Sequence, residues 1–476
     1  MSGGIHRLIE TVPNPFVHVR VDSAWDALAI DVPSINDAAF RECQRLVEDV
    51  RATSQSHGLL LDGQPGAGKT HLLTRLRRWL LDERGGCFVY VLPISAPERF
   101  CRDVLHAVAA DVLRQSPEAG SLSQVEIAVA RHLMGDAGAP LDAVAHWWCD
   151  LEAKFPANLL LFDFLRRSLR SRAETLELNE AVLSVVLQYI ARLHRADARA
   201  WLLGRPVAEE RSAALGVAGA LDDETLASDA LVTLFRLLGE RSTVVLAFDQ
   251  IEGLRLGRED TATLVSWANG IAGLLAQTRN LAIVTCALNE FVNDLRATVG
   301  ESLYGGRIAE RLASLRTLTP AEAVTLVARR LKRSDDVQTL RLALRARGGG
   351  AAAADEFWPF SRREIESLAQ GRDVAARRLL LDCRQLFEER RSAWAGSAMG
   401  VSEPAPVQPS EVLDDVVERA LEEERERVPD KIDEGVYVDG LLRVVDLLRW
   451  PNLTASRSRA KDVDLAGRIQ RLSWVG

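Results

Sequence analysis

The chain has 476 residues, 47% of them hydrophobic and 26% charged, which is enough to bury a large core and is longer than one ordinary domain. A formal charge of -8 and a pI near 5.7 exclude a protein that coats a polyanion with its whole surface, so nucleic acid can meet only a local basic patch. Six scattered cysteines without a Cys-x-x-Cys pair fit buried thiols better than disulfides or zinc, and the absence of an apolar run of ~20 residues or of a signal-type core in Met1 to Glu10 makes a soluble, cytoplasmic protein without membrane contact the expectation.

After an N-terminal segment, 1–31, apolar residues recur at helical spacing from Asn36 to Val50, at Phe40, Leu46, Val47 and Val50. Gly58 to Asp62 reads as a short buried strand that delivers the chain into Gly63-Gln64-Pro65-Gly66-Ala67-Gly68-Lys69-Thr70. Glycines there let backbone N–H groups turn inward on phosphate oxygens, and a following helix adds the positive end of its dipole. Lys69 would reach the β- and γ-phosphates, and the Thr70 hydroxyl would hold magnesium. A chance match to this pattern is on the order of one per cent in such a chain, and the flanking strand and helix that it needs are both present. ATP and Mg2+ are therefore the expected ligands. His71 follows directly and is placed near the phosphates. His71 to Leu81 reads as a helix with Leu72, Leu73, Leu76 and Leu80 on its inner face, and Cys87 to Leu92 as a second strand, so 32–99 forms the first part of an α/β core.

From Phe100 to Leu238 the pattern is almost wholly helical, broken by turn signals near Ser116-Pro117, Gly135 to Pro140 and Gly204-Arg205-Pro206. Residues 100–240 are read as a helical insertion. Val244 to Phe248 and Leu281 to Ala287, within a second core part at 241–319, are mostly β-branched or apolar and suit central strands of a parallel sheet. Each ends in polar residues, Asp249 and Asn289, aimed at the sheet edge where ligands of open α/β folds gather. Asp249 is the second magnesium carboxylate that the chemistry requires.

A lid-like region, 320–400, follows as Ala321 to Leu331, Gln338 to Arg345, a Gly348 to Ala354 link, Arg362 to Gln370 and Val374 to Glu389. The proline-rich Ser402 to Ser410 is a linker, placed at 401–410, and 411–476 opens with an acidic helix from Glu411 to Arg427 suited to docking on a protein. Val438 to Leu448 adds one helix, and nothing after it is long enough for a basic DNA-reading head.

The order Gly63 to Thr70, Val244 to Asp249, Leu281 to Asn289, Arg311 and Arg377 resembles the Walker A, Walker B, sensor 1, arginine-finger and sensor 2 succession of AAA+ proteins, over roughly Val32 to Phe387. The resemblance implies an AAA+ parallel-sheet P-loop NTPase core, α/β in class, with a large helical insertion and an α-helical lid. It is nearest the origin-recognition and initiator branch and the bacterial phage-exclusion (BREX-type) and transposition ATPases, through Trp201-Leu202-Leu203-Gly204-Arg205 and Asp249-Gln250-Ile251-Glu252. It further implies that Asn289 orients the attacking water and that Arg311, with Arg307 as rival, reaches a neighbouring subunit's nucleotide. Arg377, with Arg378 as rival, would be the lid arginine, although Ala376 stands where the family usually has proline.

AAA+ hydrolases usually follow the magnesium aspartate with glutamate, and this chain has Gln250. Glutamine cannot take a proton from water at neutral pH, so hydrolysis is expected to be slow unless Glu252 assumes the role. On a continued strand Glu252 would share the face of Gln250. Trp147-Trp148 and Trp358 read as core or subunit-contact aromatics, and Arg329-Arg330-Leu331-Lys332-Arg333 as a solvated lid face rather than a phosphate grip. The expected protein is an oligomeric, nucleotide-gated switch or loader in a multi-component, DNA-linked anti-phage or mobile-element system. Its rivals are a signalling NTPase that senses a ligand through 100–240 and assembles, and a non-hydrolysing ATP-binding scaffold.

Overall fold

The computed structural model describes residues 11–27, 30–94, 96–116, 121–217, 219–221, 223–254, 261–346, 355–370, 374–397, 453–456 and 466–469. In chain order, α1 (Asp37–Thr53) leads into β1 (His57–Asp62), α2 (Lys69–Arg78) and β2 (Cys87–Val91). Next come α3 (Phe100–Val112), the two-residue strands β3 (Gln115–Ser116) and β4 (Leu122–Ser123), then α4 (Gln124–Met134), α5 (Leu141–Lys154), α6 (Asn158–Thr175) and α7 (Glu180–Ile190). After α8 (Arg195–Leu202), α9 (Glu209–Leu215) and α10 (Glu224–Gly239) the chain returns to the sheet with β5 (Val244–Phe248), α11 (Ala262–Gln277), β6 (Leu281–Ala287), α12 (Asn289–Val299) and β7 (Arg311–Ser314). The lid helices are α13 (Pro320–Lys332), α14 (Asp335–Ala346), α15 (Arg362–Ala369) and α16 (Ala376–Ser397). An antiparallel hairpin of β8 (Leu453–Ser456) and β9 (Ala466–Ile469) belongs to a second unit. The Gly348 to Ala354 link, the Ser402 to Ser410 linker, the acidic Glu411 to Arg427 segment and Val438 to Leu448 lie outside the described residues.

Strands that are apolar at every position need cover on both faces, and this chain provides it with helices. The five main strands are parallel in the order β2-β5-β6-β1-β7, with the loop strand next to last. Alternate residues divide between two cores. Val244, Leu246 and Phe248 join Val89 and Ile283 beneath α3, α10 and α11, whereas Val245 and Ala247 join Leu59, Leu61 and Phe88 against α1 and α2. This is the α/β fold that the sequence predicts, a parallel sheet covered by helices on both faces, with further helices added between β2 and β5. The first and last of those helices, α3 and α10, pack on the sheet itself.

β2 ends the sheet, so its outer backbone groups need partners that no strand supplies. Side chains take their place. Gln124 Nε2 donates to the Phe88 carbonyl at 2.9 Å, its Oε1 accepts from Phe88 N at 2.7 Å, and Asp111 Oδ2 accepts from Tyr90 N at 2.8 Å.

Several expectations need correction. β7 carries no sequence signal of its own, because this edge strand begins with Arg311 and exposes Leu312 instead of forming an apolar run. All six cysteines are free, but Cys149 is exposed and Cys101 only half-buried. The Arg329 to Arg333 run is not simply a solvated face: Arg330 Nε donates to the Pro15 carbonyl at 3.0 Å and Arg329 bonds the Asp31 carbonyl, so both hold the N-terminal segment on α13. Trp148 and Trp358 are buried, as core aromatics should be.

Candidate nucleotide site

Parallel register brings five strand ends to one edge: Asp62 aligns with Ala287 and with Ser314, and Phe248 with Val91 and Thr285. The loop 63–68 leaves β1 there. Gly66 and Gly68 take φ of 78° and 106°, the left-handed region that glycine enters without strain. Gly66 is constrained twice, since a Cβ would stand 2.7 Å from Arg377 Cβ. Gln64 and Pro65 are exposed while Gly63 and Ala67 are buried, so the loop presents its crest and anchors its base. Gly68, lacking a side chain, cannot cap α2, and the first-turn N–H groups of that helix are left to an anion.

Lys69 is buried and folds back on the loop, donating from Nζ to the Gly63 carbonyl at 2.7 Å and to that of Gln64 at 3.4 Å. Burial lowers its pKa, and Glu252 leads the carboxylates that oppose the shift. Thr70 Oγ1 donates to Asp249 Oδ2 at 2.6 Å. Two hard oxygens predicted from segments far apart in sequence thus meet. Asp249 is 1% exposed, and its Oδ2 also accepts from Tyr90 Oη at 2.9 Å. Burial first, and Asp249 next, push the Tyr90 pKa up, which keeps that hydroxyl a donor.

Past Asp249 the chain turns at once. Gln250 has φ of 59°, unusual for a residue other than glycine and costing of order 1 kcal/mol or more, and Ile251–Leu254 is a 3-10 turn. The strand alternation expected to put Gln250 and Glu252 on one face therefore does not apply. Gln250 is exposed; Glu252 is partly buried, with Oε2 shielded from solvent and without a hydrogen-bond partner. Burial raises the Glu252 pKa and Asp249 raises it further, against the backbone N–H groups of Glu252 and Leu288 and the pull of Lys69. A carboxylate so placed is the best general-base candidate at this edge.

Other predicted residues divide. Arg377 meets the loop: its backbone N donates to the Gly66 carbonyl at 3.2 Å, whereas its rival Arg378 is exposed and paired with Asp382 at 3.0 Å. Asn289 opens α12 just past β6 and is exposed. Arg311 pairs with Asp49 of α1 at 2.6 Å, beside Leu59 rather than at the strand ends, while Arg307 is exposed with no partner among the described residues. His71 turns away from the loop. Its Nε2 lies 3.0 Å from the Ile30 carbonyl and must carry the proton there, and burial lowers its pKa, so the ring holds Ile30 rather than facing the loop.

Two residues of this site escaped sequence reasoning. Tyr90 is one; its only signal is a hydroxyl near the end of an otherwise apolar strand. The second is Asn36, 6% exposed, which donates from Nδ2 to the Ala67 carbonyl at 3.1 Å and accepts the Arg316 N–H at 3.0 Å. It starts a helix yet does not cap it.

The Thr70 hydroxyl and Asp249 carboxylate suit magnesium, which takes oxygen ligands and commonly shares them with substrate phosphates and water. No group of three or more His, Cys, Asp or Glu residues able to hold a metal exists among the described residues, so a metal here would rely on the nucleotide for further ligands. When bound, it would neutralise charge on the transferred phosphoryl group. Lys69 would then bind and orient phosphate, and Glu252 would be placed to take a proton from water.

No family model and no curated protein matches the chain. Solved structures similar to it include the Walker-type ATPase PABY2304 of Pyrococcus abyssi, at 17% identity and TM-score 0.33, covering 90% of this chain and 83% of that one. The Aeropyrum pernix ORC1 protein in complex with DNA is similar at 14% identity and TM-score 0.28, with 94% and 92% coverage. The ADP form of the Aeropyrum pernix ORC2 protein follows at 12% and 0.33, with 96% and 93%.

Proposed function

We propose that this chain binds MgATP at the loop 63–70 and hydrolyses it slowly, with Glu252 in place of the glutamate that Gln250 replaces. The observation that carries this reading is the joining of Lys69, Thr70, Asp249 and Glu252 at one strand edge, with a proton acceptor whose pKa burial has raised. Asn289 would orient the water and Arg377 would report the nucleotide to the lid. Arg307 or Arg311 would act across a subunit boundary, and the exposure of Arg307 favours it for that part. Turnover measured on wild type and Glu252→Gln tests the core of the proposal; brisk turnover that survives the change rules Glu252 out.

The finer reading, an oligomeric switch or loader in a DNA-linked anti-phage or mobile-element system, rests on the sequence resemblance. ATP turnover measured with and without duplex DNA tests it, and an unchanged rate counts against a loader. A second reading, an NTPase that senses a ligand through its added helices, is favoured by one observation: an arginine-lined cavity among them.

A further inference from the structure

A cavity of about 630 Å³ opens between the C-terminal end of α3 and the first turn of α8. Arg114, Arg195 and Arg199 line it together with Gln115 and Tyr189. Two of these cations are held from behind by buried acids. Arg114 Nη2 lies 3.2 Å from Asp111 Oδ1 and Arg195 Nη2 lies 3.2 Å from Glu126 Oε1, the acid side chains being 6% and 1% exposed. Tyr189 fixes Arg195 further, since its hydroxyl accepts from Nη2 at 3.2 Å while donating to the Leu113 carbonyl at 3.1 Å. Arg199 is exposed, with no acidic partner among the described residues.

A guanidinium carries five N–H donors, and these contacts use one nitrogen of Arg114 and one of Arg195. The remaining donors are already positioned, so a planar or tetrahedral oxyanion would lose little by ordering them. The volume lies in the range of small-molecule sites, about 300–1,000 Å³, and is too small for a folded partner. The acids beneath neutralise two arginines from the inside only. Arg199, which has no acid beneath it among the described residues, leaves a net positive charge at the opening, and the outward donors of all three guanidiniums favour an oxyanion there.

We propose that this cavity binds a small phosphorylated ligand and that its occupancy is transmitted to the nucleotide site through Asp111 and Tyr90. The first half stands on the cavity alone; the second rests on the nucleotide reading given above. Asp111 divides its two oxygens between Arg114 and the Tyr90 backbone N–H, and the Tyr90 hydroxyl donates to the same Asp249 oxygen that accepts from Thr70. A phosphate that draws Arg114 outward leaves Asp111, buried at 4% exposure, leaning harder on Tyr90 N–H. Arg114 also lies 4.5 Å from the Trp25 ring centre, and the same ring carries Arg77 of α2 at 4.8 Å, a second connection between the cavity and the loop helix. Coupling of this kind is reciprocal: whatever the ligand does to nucleotide affinity, nucleotide does to the ligand.

The test uses the full chain and inorganic pyrophosphate as probe. Calorimetric titration of Lys69→Ala, whose own loop is disabled, is expected to retain pyrophosphate binding, and adding Arg199→Glu is expected to weaken it about tenfold or more. No binding to Lys69→Ala, or binding indifferent to Arg199→Glu, overturns the site. For the coupling, a fluorescent ADP analogue bound to wild type is chased with excess ADP, with and without pyrophosphate. Its release rate is unaffected by competition at the loop, so a severalfold change that disappears in Arg199→Glu supports transmission, and an unchanged rate refutes it. Failure of wild type to bind the analogue at all would sink the nucleotide reading and with it the transmission, while the titration still decides the cavity.

Discussion

The loop after β1 and the turn after β5 stand at the same edge of one sheet and are built on opposite principles. In the loop, left-handed backbone falls on Gly66 and Gly68, Lys69 is satisfied by carbonyls, and Asn36 and Arg377 brace it from either side. In the turn, left-handed backbone falls on Gln250, and a partly buried carboxylate oxygen of Glu252 has no hydrogen-bond partner. On the proposed reading, the part that holds the ligand relaxes its own strain, whereas the part that reacts keeps strain and one shielded acceptor oxygen. Binding and chemistry should therefore separate cleanly under mutation.

Lys69→Ala should have the largest effect, weakening ATP affinity about 100-fold or more, because no other described cation is bonded to the loop carbonyls. Calorimetry with MgATP checks it, and an unchanged affinity would remove the loop from the account. Glu252→Gln should leave that affinity alone and lower turnover by about 10²-fold or more, general-base catalysis being worth roughly 10²- to 10⁴-fold. Loss of binding in this variant would merge the two regions. Tyr90→Phe sharpens the contrast from the side, because it removes one donor from Asp249 but leaves Thr70 in place. It should cost about 1 kcal/mol of stability and raise the magnesium concentration needed for half-maximal turnover severalfold, seen in denaturant melts and a metal titration. Gln250→Glu should do least, within about threefold in rate, since position 250 is exposed and turned out of the strand. A tenfold acceleration would return the base to position 250.

Much of the binding half was legible in the sequence, and little of the chemical half. Gly63 to Thr70 works through local conformation and a flanking strand and helix, all visible within a short stretch, and Asp249 is marked by the apolar run it ends. Glu252 was named, but on a strand geometry that one left-handed residue cancels. Tyr90 and Asn36 could not be read because their partners lie 159 and 31 residues away and neither obeys a spacing rule. His71 was misplaced for the same reason: adjacency to Thr70 suggested phosphate, yet its ring belongs to Ile30. Arg377 was legible only through the resemblance, and the structure adds that its backbone rather than its sequence neighbourhood brings it to Gly66.

Glu252 is the proposed proton acceptor, and single-turnover hydrolysis of prebound ATP across acid pH tests that most directly. A base works only when ionised, and burial raises Glu252 above its ordinary value of 4.5. The rate should accordingly fall as pH drops through a midpoint above that value, and Glu252→Gln should abolish both the limb and the rate while ATP stays bound. An acid limb that persists unchanged in Glu252→Gln would contradict the account and place the base elsewhere.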